Sequence, residues 1–132
     1  MIDKRLVELD VSCPVLGIIV PCYNEQEVVA SCVEQLESVL SGLIDSGKVA
    51  ANSFIVFVDD GSRDATWEKI MSSGDGRHVF GVKLSSNYGQ QNAILAGLDF
   101  CRSRADMARS TDADLQDDIQ AMEAMIERYR EG

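Results

Sequence analysis

Apolar and polar positions alternate along this chain in blocks, and the blocks change period. Val15-Leu16-Gly17-Ile18-Ile19-Val20 is a continuous apolar run rich in β-branched residues, the pattern of a strand covered on both faces. Pro21 should stop it. Asn24 then reads as an N-cap, with Glu27 three residues on completing a capping box. Val28, Val29, Cys32, Val33, Leu36, Val39, Leu40 and Leu43 follow at helical spacing. Phe54 to Val58 predicts a second buried strand, and Asp64 should cap a short helix through Trp67 and Ile70. Val79 to Leu84 predicts a third strand, and Gln90 to Cys101 a helix through Ala93, Ile94 and Leu98. Ala108-Arg109-Ser110-Thr111 is a weaker strand. The last helix carries Ile119, Met122, Ile126 and Tyr129 on one face.

This β-α repetition predicts a three-layer α/β/α domain around a mostly parallel sheet. Such sheets bind ligands beyond the carboxyl ends of their strands. The polar clusters Pro21–Glu25, Asp59–Ser62, Ser85–Gln91 and Asp112–Gln116 all fall there. Residues 1–14 read as an N-terminal extension, and 15–132 as one domain.

Composition narrows the reading. A chain of 132 residues with 45% apolar content is one domain's worth. A formal net charge of −10 argues against a nucleic-acid partner, which needs a basic face. It leaves room for a nucleotide bound through a metal ion. Cys13, Cys22, Cys32 and Cys101 show no C-x-x-C pair, which suits reduced thiols in the cytoplasm. No apolar stretch approaches the length of a membrane span. His78 has no obvious partner in the sequence and reads as a surface residue, while Trp67 reads as core.

The Asp112-Ala113-Asp114 triplet carries the most chemistry. In an extended backbone its two carboxylates point to one side, a good site for a hard divalent cation. Gln116 adds an oxygen ligand, and Asp117 and Asp118 suit the opening of the last helix. A solvated acidic turn would look the same. The first loop lacks G-x-G-x-x-G and puts Glu25 and Glu27 at the helix start, where they would repel phosphates. Tyr23 and Glu25 then fit contacts to a base or ribose, or simply a capped helix with a surface tyrosine. Of the adjacent acids, Asp59 is the first choice for base or ribose, although alternation could favour Asp60. The amide-rich loop Ser85–Asn92 suits a sugar, a phosphate or plain capping.

Together, Ile19-Val20-Pro21-Cys22-Tyr23-Asn24-Glu25, Val58-Asp59-Asp60-Gly61-Ser62-Arg63-Asp64, Asn87-Tyr88-Gly89-Gln90-Gln91 and Asp112-Ala113-Asp114-Leu115-Gln116-Asp117 resemble the family 2 glycosyltransferases. The bacterial branch similar to dolichyl-phosphate mannose synthase, which moves a sugar onto a polyprenyl phosphate, fits best. The resemblance runs from about Gly17 onward. It implies a GT-A fold, a nucleotide-diphospho-sugar donor, inversion at the anomeric carbon, and Mg²⁺ or Mn²⁺. It also assigns Pro21, Tyr23, Glu25 and Asp59 to the nucleoside, Asp112, Asp114 and Gln116 to the ion, and the chemistry to Asp112 and Asp114. An anionic acceptor phosphate needs no strong general base, so catalysis would rest on positioning and charge neutralisation.

Arg109, Ser110 and Thr111 depart from the apolar residues that relatives place in this strand, which predicts a distorted lead-in. Asp118 stands where many relatives carry proline. Relatives also continue into an acceptor-side half and, in this branch, membrane helices. The segment therefore reads as a donor-binding half that need not be active alone, with the whole protein at the inner face of a membrane. Two rivals stand beside this reading. A haloacid-dehalogenase-type phosphohydrolase would use its leading aspartate as nucleophile, but that motif follows a first strand, and no lysine follows Asp112. A non-catalytic module that self-associates or binds a partner through its open sheet edge is the other.

Overall fold

The computed structural model describes residues 13–113 and 118–131. The elements are β1 (Leu16–Cys22), α1 (Val29–Asp45), β2 (Phe54–Asp59), α2 (Thr66–Ser73), β3 (Val79–Lys83), α3 (Gln90–Cys101), β4 (Met107–Ser110) and α4 (Asp118–Glu131). The four strands form one sheet in the order β3-β2-β1-β4, and every pair is parallel. The chain winds from β1 to β3 on one side and then returns to pair β4 with the other edge of β1. The order thus reverses at β1, which creates a crevice above the carboxyl ends of β1 and β4.

The apolar runs explain the layers. Side chains alternate across a strand, so Leu16, Ile18, Val20, Ile55 and Phe57 face α1, with Leu36, Leu40, Ile70, Met122 and Ile126 closing that core. Ile19, Phe54, Val56 and Val58 face the other way, onto Ala93 and Cys101 of α3. Among the described residues no helix is long and apolar enough to cross a membrane. None of the four cysteines, all among the described residues, forms a disulfide.

Several local expectations need correction. Pro21 does not end β1, which runs on to Cys22. Val15 and Ile19 turn their backbone groups toward β4, through the pairs Asp106 N–Val15 O and Thr111 N–Ile19 O. Pro21, two residues on, has its missing N–H on that same side, past the end of the β4 ladder. The β4 lead-in is not distorted either. It pairs in regular register from Leu16↔Met107 to Ile19↔Ser110, because an edge strand tolerates polar residues. On α3 the buried positions are Ala93, Gly97 and Cys101, whereas Leu98 is exposed. Tyr129 is also exposed, and the side chain of Ile119 lies outside the described residues. His78 has partners: Nδ1 lies 3.0 Å from Asp75 Oδ2 and Nε2 3.2 Å from the Ala51 carbonyl.

Gly97 is what lets α3 sit close on β1. A Cβ there would lie 2.4 Å from Ile19 Cγ2 and 3.3 Å from Ile19 Cβ, atoms fixed to the strand. Alanine usually strengthens a helix relative to glycine, by about 0.5–1 kcal/mol, but overpacking costs roughly 1–3 kcal/mol. Gly97→Ala is therefore expected to destabilise the domain by about 1–2 kcal/mol in urea unfolding. An unchanged or raised midpoint would contradict this packing.

Candidate active site

Loop one is laced to loop two. Asn24 is not a helix cap: it takes φ +54°, and α1 begins only at Val29, after a turn in which Glu25 O accepts from the N–H groups of Val28 and Val29. Asparagine is among the few residues that tolerate this left-handed geometry. Its backbone N–H donates to Ser62 Oγ at 2.8 Å, and its Oδ1 accepts from Arg63 N at 2.9 Å. Glu25 N donates to Thr66 Oγ1 at 2.8 Å, and Ala65 N donates to Gln26 Oε1 at 3.0 Å. Asp64 accepts from the Thr66 hydroxyl and amide, and the hydroxyl above all holds its carboxyl below the usual range. It serves this lacing, since α2 has Ala65 at its cap position. Gln26 and Thr66 carry no motif by themselves, and only the fold shows their role.

Strand alternation separates the two adjacent acids. Asp59 follows Ile55 and Phe57 toward the α1 side, where it is fully buried, and its Oδ1 accepts from Ser62 N at 3.2 Å. Asp59 Oδ2 has no hydrogen-bond partner among the described residues. Asp60 points the other way, toward the start of α3. Its carboxylate accepts from Tyr88 N at 2.8 Å and Gly89 N at 3.0 Å, so both oxygens hold the β3–α3 loop. Asp60→Ala should leave two N–H groups without their anionic acceptor, at a cost of about 2–4 kcal/mol. Chemical unfolding measures this, and a loss under about 0.5 kcal/mol would show that the clamp is unimportant.

These loops enclose a cleft of about 510 Å³ at the reversal point, within the usual size of small-molecule sites. Pro21, Tyr23, Glu25, Asp60 and Asp112 all line it, joined by Asn87, Gly89 and Gln90 of the third loop and by Val28 and Ala113. Asp59 does not line it. Asp112 is exposed between buried Thr111 and Ala113, so its carboxylate faces outward. Asp114 and Gln116 lie outside the described residues. Among the described residues no three acidic, cysteine or histidine side chains cluster closely enough to hold a cation. Cys22 forms part of the cleft wall as a neutral thiol. Burial, then Cys32, Glu25 and Asp59 nearby, push its pKa far above the ordinary thiol value.

A second cavity of about 680 Å³ shares Tyr23 and Asn87 with the cleft. Arg63 and Lys83 line it with Ser85, so a cationic flank adjoins an acidic cleft. The arrangement suits a ligand carrying both a polar ring system and negative charge, provided a cation screens the carboxylates.

Comparison with known proteins agrees with this architecture. The chain is 48% identical over 122 residues to the uncharacterized glycosyltransferase YkoT of Bacillus subtilis, covering 92% of this chain and 36% of that protein. It is 37% identical over 119 residues to the undecaprenyl-phosphate 4-deoxy-4-formamido-L-arabinose transferase of Pseudomonas aeruginosa, covering 89% of this chain and 33% of the relative. The chain thus spans about a third of the length of these curated relatives. Among solved structures, a mannosyltransferase of Pyrobaculum calidifontis in complex with GDP-Man and Mn²⁺ superposes with a TM-score of 0.57. That match is 23% identical and covers 77% of this chain and 28% of the other. Glucosyl-3-phosphoglycerate synthase from Mycobacterium tuberculosis, in complex with Mn²⁺, UDP and glucosyl-3-phosphoglycerate, superposes at 0.55 with 20% identity. It covers 76% of this chain and 33% of that one. These neighbours establish the GT-A type of α/β fold. The family model for glycosyl transferase family 2 matches residues 17–132, and the chain belongs to that family.

Proposed function

We propose that this domain binds a nucleotide-diphospho-sugar in the cleft and, within the whole protein, transfers the sugar with inversion to a polyprenyl phosphate. The observation that carries the reading is the convergence of Tyr23, Glu25 and Asp112 on one cleft at the point where the sheet order reverses. Tyr23, Pro21 and Glu25 receive the nucleoside. Asp59 is buried outside the cleft lining, and we assign its Oδ2, which has no hydrogen-bond partner among the described residues, to a nucleoside N–H. Asp60 acts one step back, by seating the loop that presents Asn87 and Gln90.

Asp112, with Asp114 and Gln116, is the set we assign to Mg²⁺ or Mn²⁺. An exposed carboxylate, a second one two residues on and a neutral amide are hard oxygen donors that suit such an ion. A bound ion would neutralise charge on the departing diphosphate. The chain's own contribution is orientation: the laced loops fix the donor, and an acceptor phosphate, already anionic, needs no base from the protein. The Pseudomonas relative, an undecaprenyl-phosphate transferase by name, supports a polyprenyl-phosphate acceptor, and we assign the reaction of the whole protein to the inner face of a membrane. The manganese complexes of the two solved neighbours support the ion.

Calorimetric titration with UDP, GDP and their sugars, each with and without Mn²⁺, tests the proposal. At least one nucleotide should bind only when the metal is present. A folded sample that binds none of them with Mn²⁺ would overturn it.

A further inference from the structure

The opposite end of the sheet carries another polar cavity, of about 590 Å³. It lies among the segments that enter β2 and β3 and the segment that leaves α3. In a chain with 22 acidic and 12 basic residues, its lining holds Arg77, Arg104 and the single histidine and, among the described residues, no Asp or Glu, although the Asp75 carboxylate lies behind His78, 3.0 Å from its Nδ1. Such a local excess of positive charge runs against the molecule's average and needs a reason.

The geometry is specific. Arg104 stacks over the Phe100 ring, with Cζ 4.1 Å from its centroid, and Nη1 donates to the Phe100 carbonyl at 2.7 Å. That stacking fixes the plane of the guanidinium and leaves its remaining N–H groups for an acceptor. The same hydrogen bond covers the carboxyl end of α3, whose negative dipole would otherwise oppose an anion. Arg77 makes no side-chain hydrogen bond or ion pair among the described residues. His78 is a wall, not a ligand, because both ring nitrogens face acceptors, Asp75 and the Ala51 carbonyl. Ser103 and Asn52 add a hydroxyl and an amide to the lining. Beside them stands an aromatic cluster: Phe54, Phe80 and Phe100 have centroids 5.6–5.9 Å apart, and Phe80 is 42% exposed.

We propose that this cavity is a second binding site, for a phosphate group carried on an apolar or aromatic substituent. The two arginines grip the phosphate oxygens, and the substituent lies on the exposed face of Phe80. A soluble phosphate ester and the headgroup of an anionic phospholipid share this chemistry. The site is remote from the donor cleft and stands independently of the reading given to that cleft. The plainer account makes Arg104 only a helix-end cap and Arg77 only a solvated charge.

Amide spectra of ¹⁵N-labelled protein, titrated with phenyl phosphate and separately with pyrophosphate, decide between them. We expect saturable shifts at residues 51–52, 77–78 and 103–104, unchanged by Asp112→Asn. Arg77→Ala and Arg104→Lys should each weaken phenyl phosphate binding about tenfold, the usual scale for one charge-assisted contact. Arg77 is exposed, so its alanine variant should fold even if Arg104 variants do not. Sedimentation with phosphatidylglycerol vesicles, against phosphatidylcholine controls, separates the sources. Arg77-dependent pelleting identifies a lipid headgroup, whereas saturation by phenyl phosphate without pelleting identifies a soluble ester. Absence of saturable shifts with both probes, or shifts that Arg77→Ala leaves unaltered, would overturn the proposal.

Discussion

Gly61→Ala is expected to cost about 3 kcal/mol or more and to disorganise the cleft at the reversal point of the sheet. Gly61 adopts φ +73°, a left-handed conformation that costs an L-residue roughly 1–2 kcal/mol. Sterics add to this. A Cβ on Gly61 would stand 2.4 Å from the Ser86 carbonyl carbon and 2.5 Å from the Asn87 nitrogen, both backbone atoms. The loop would have to lift, and lifting it strains the Asp60 hydrogen bonds to Tyr88 and Gly89. Because Asn87, Gly89 and Gln90 line the cleft, nucleotide affinity should fall with stability. Asp60→Ala and Gly61→Ala act on the same loop, so the double variant should lose clearly less than the sum of the two. Urea unfolding of the four proteins gives the answer. A mild loss for Gly61→Ala, or strict additivity, would mean that the loop is seated by something else.

The fold was legible where one physical signal dominated. Ile18-Ile19-Val20 and Phe54 to Val58 are short, uninterrupted apolar runs rich in β-branched residues, which suit a strand covered on both faces, and both are central strands. The bounds Gln90 to Cys101 match α3 residue for residue, although its buried face is Ala93, Gly97 and Cys101 and leaves Leu98 exposed. The grouping of polar loops at the carboxyl ends of the strands followed from the alternation of elements alone. Legibility failed where one residue type serves two purposes. Asparagine is both a good N-cap and tolerant of positive φ, and the sequence around Asn24 does not say that Ser62 and Arg63 will claim it. Alternation separates Asp59 from Asp60, but which of them meets α3 depends on the phase of β2 against the helices. The close seating of α3 through Gly97 is a three-dimensional fact with no local pattern. So is the placing of Arg77 and Arg104 around one cavity, since they come from different ends of the β3–α3 unit.

The largest functional effect should come from Asp112 and Asp114 together. Asp112 is the exposed carboxylate that β4 delivers to the cleft, and Glu25 and Asp60 already make that cleft acidic. A donor diphosphate there meets like charge unless a cation intervenes, and such repulsion across a few ångströms is worth several kcal/mol away from bulk water. Removing both aspartates should delete the proposed anchor for a cation while leaving the fold intact, since Asp112 is exposed. Retention of nucleotide in the presence of Mn²⁺ should then drop at least about a hundredfold, close to 3 kcal/mol.

The most direct measurement is therefore a matched calorimetric titration of the unaltered protein and the Asp112→Ala/Asp114→Ala variant. It uses whichever nucleoside diphosphate binds best, with Mn²⁺ and with chelator. The account predicts tight binding in one cell of that comparison only, the unaltered protein with metal. Equal affinity for the variant with Mn²⁺, or for the unaltered protein in chelator, would contradict it.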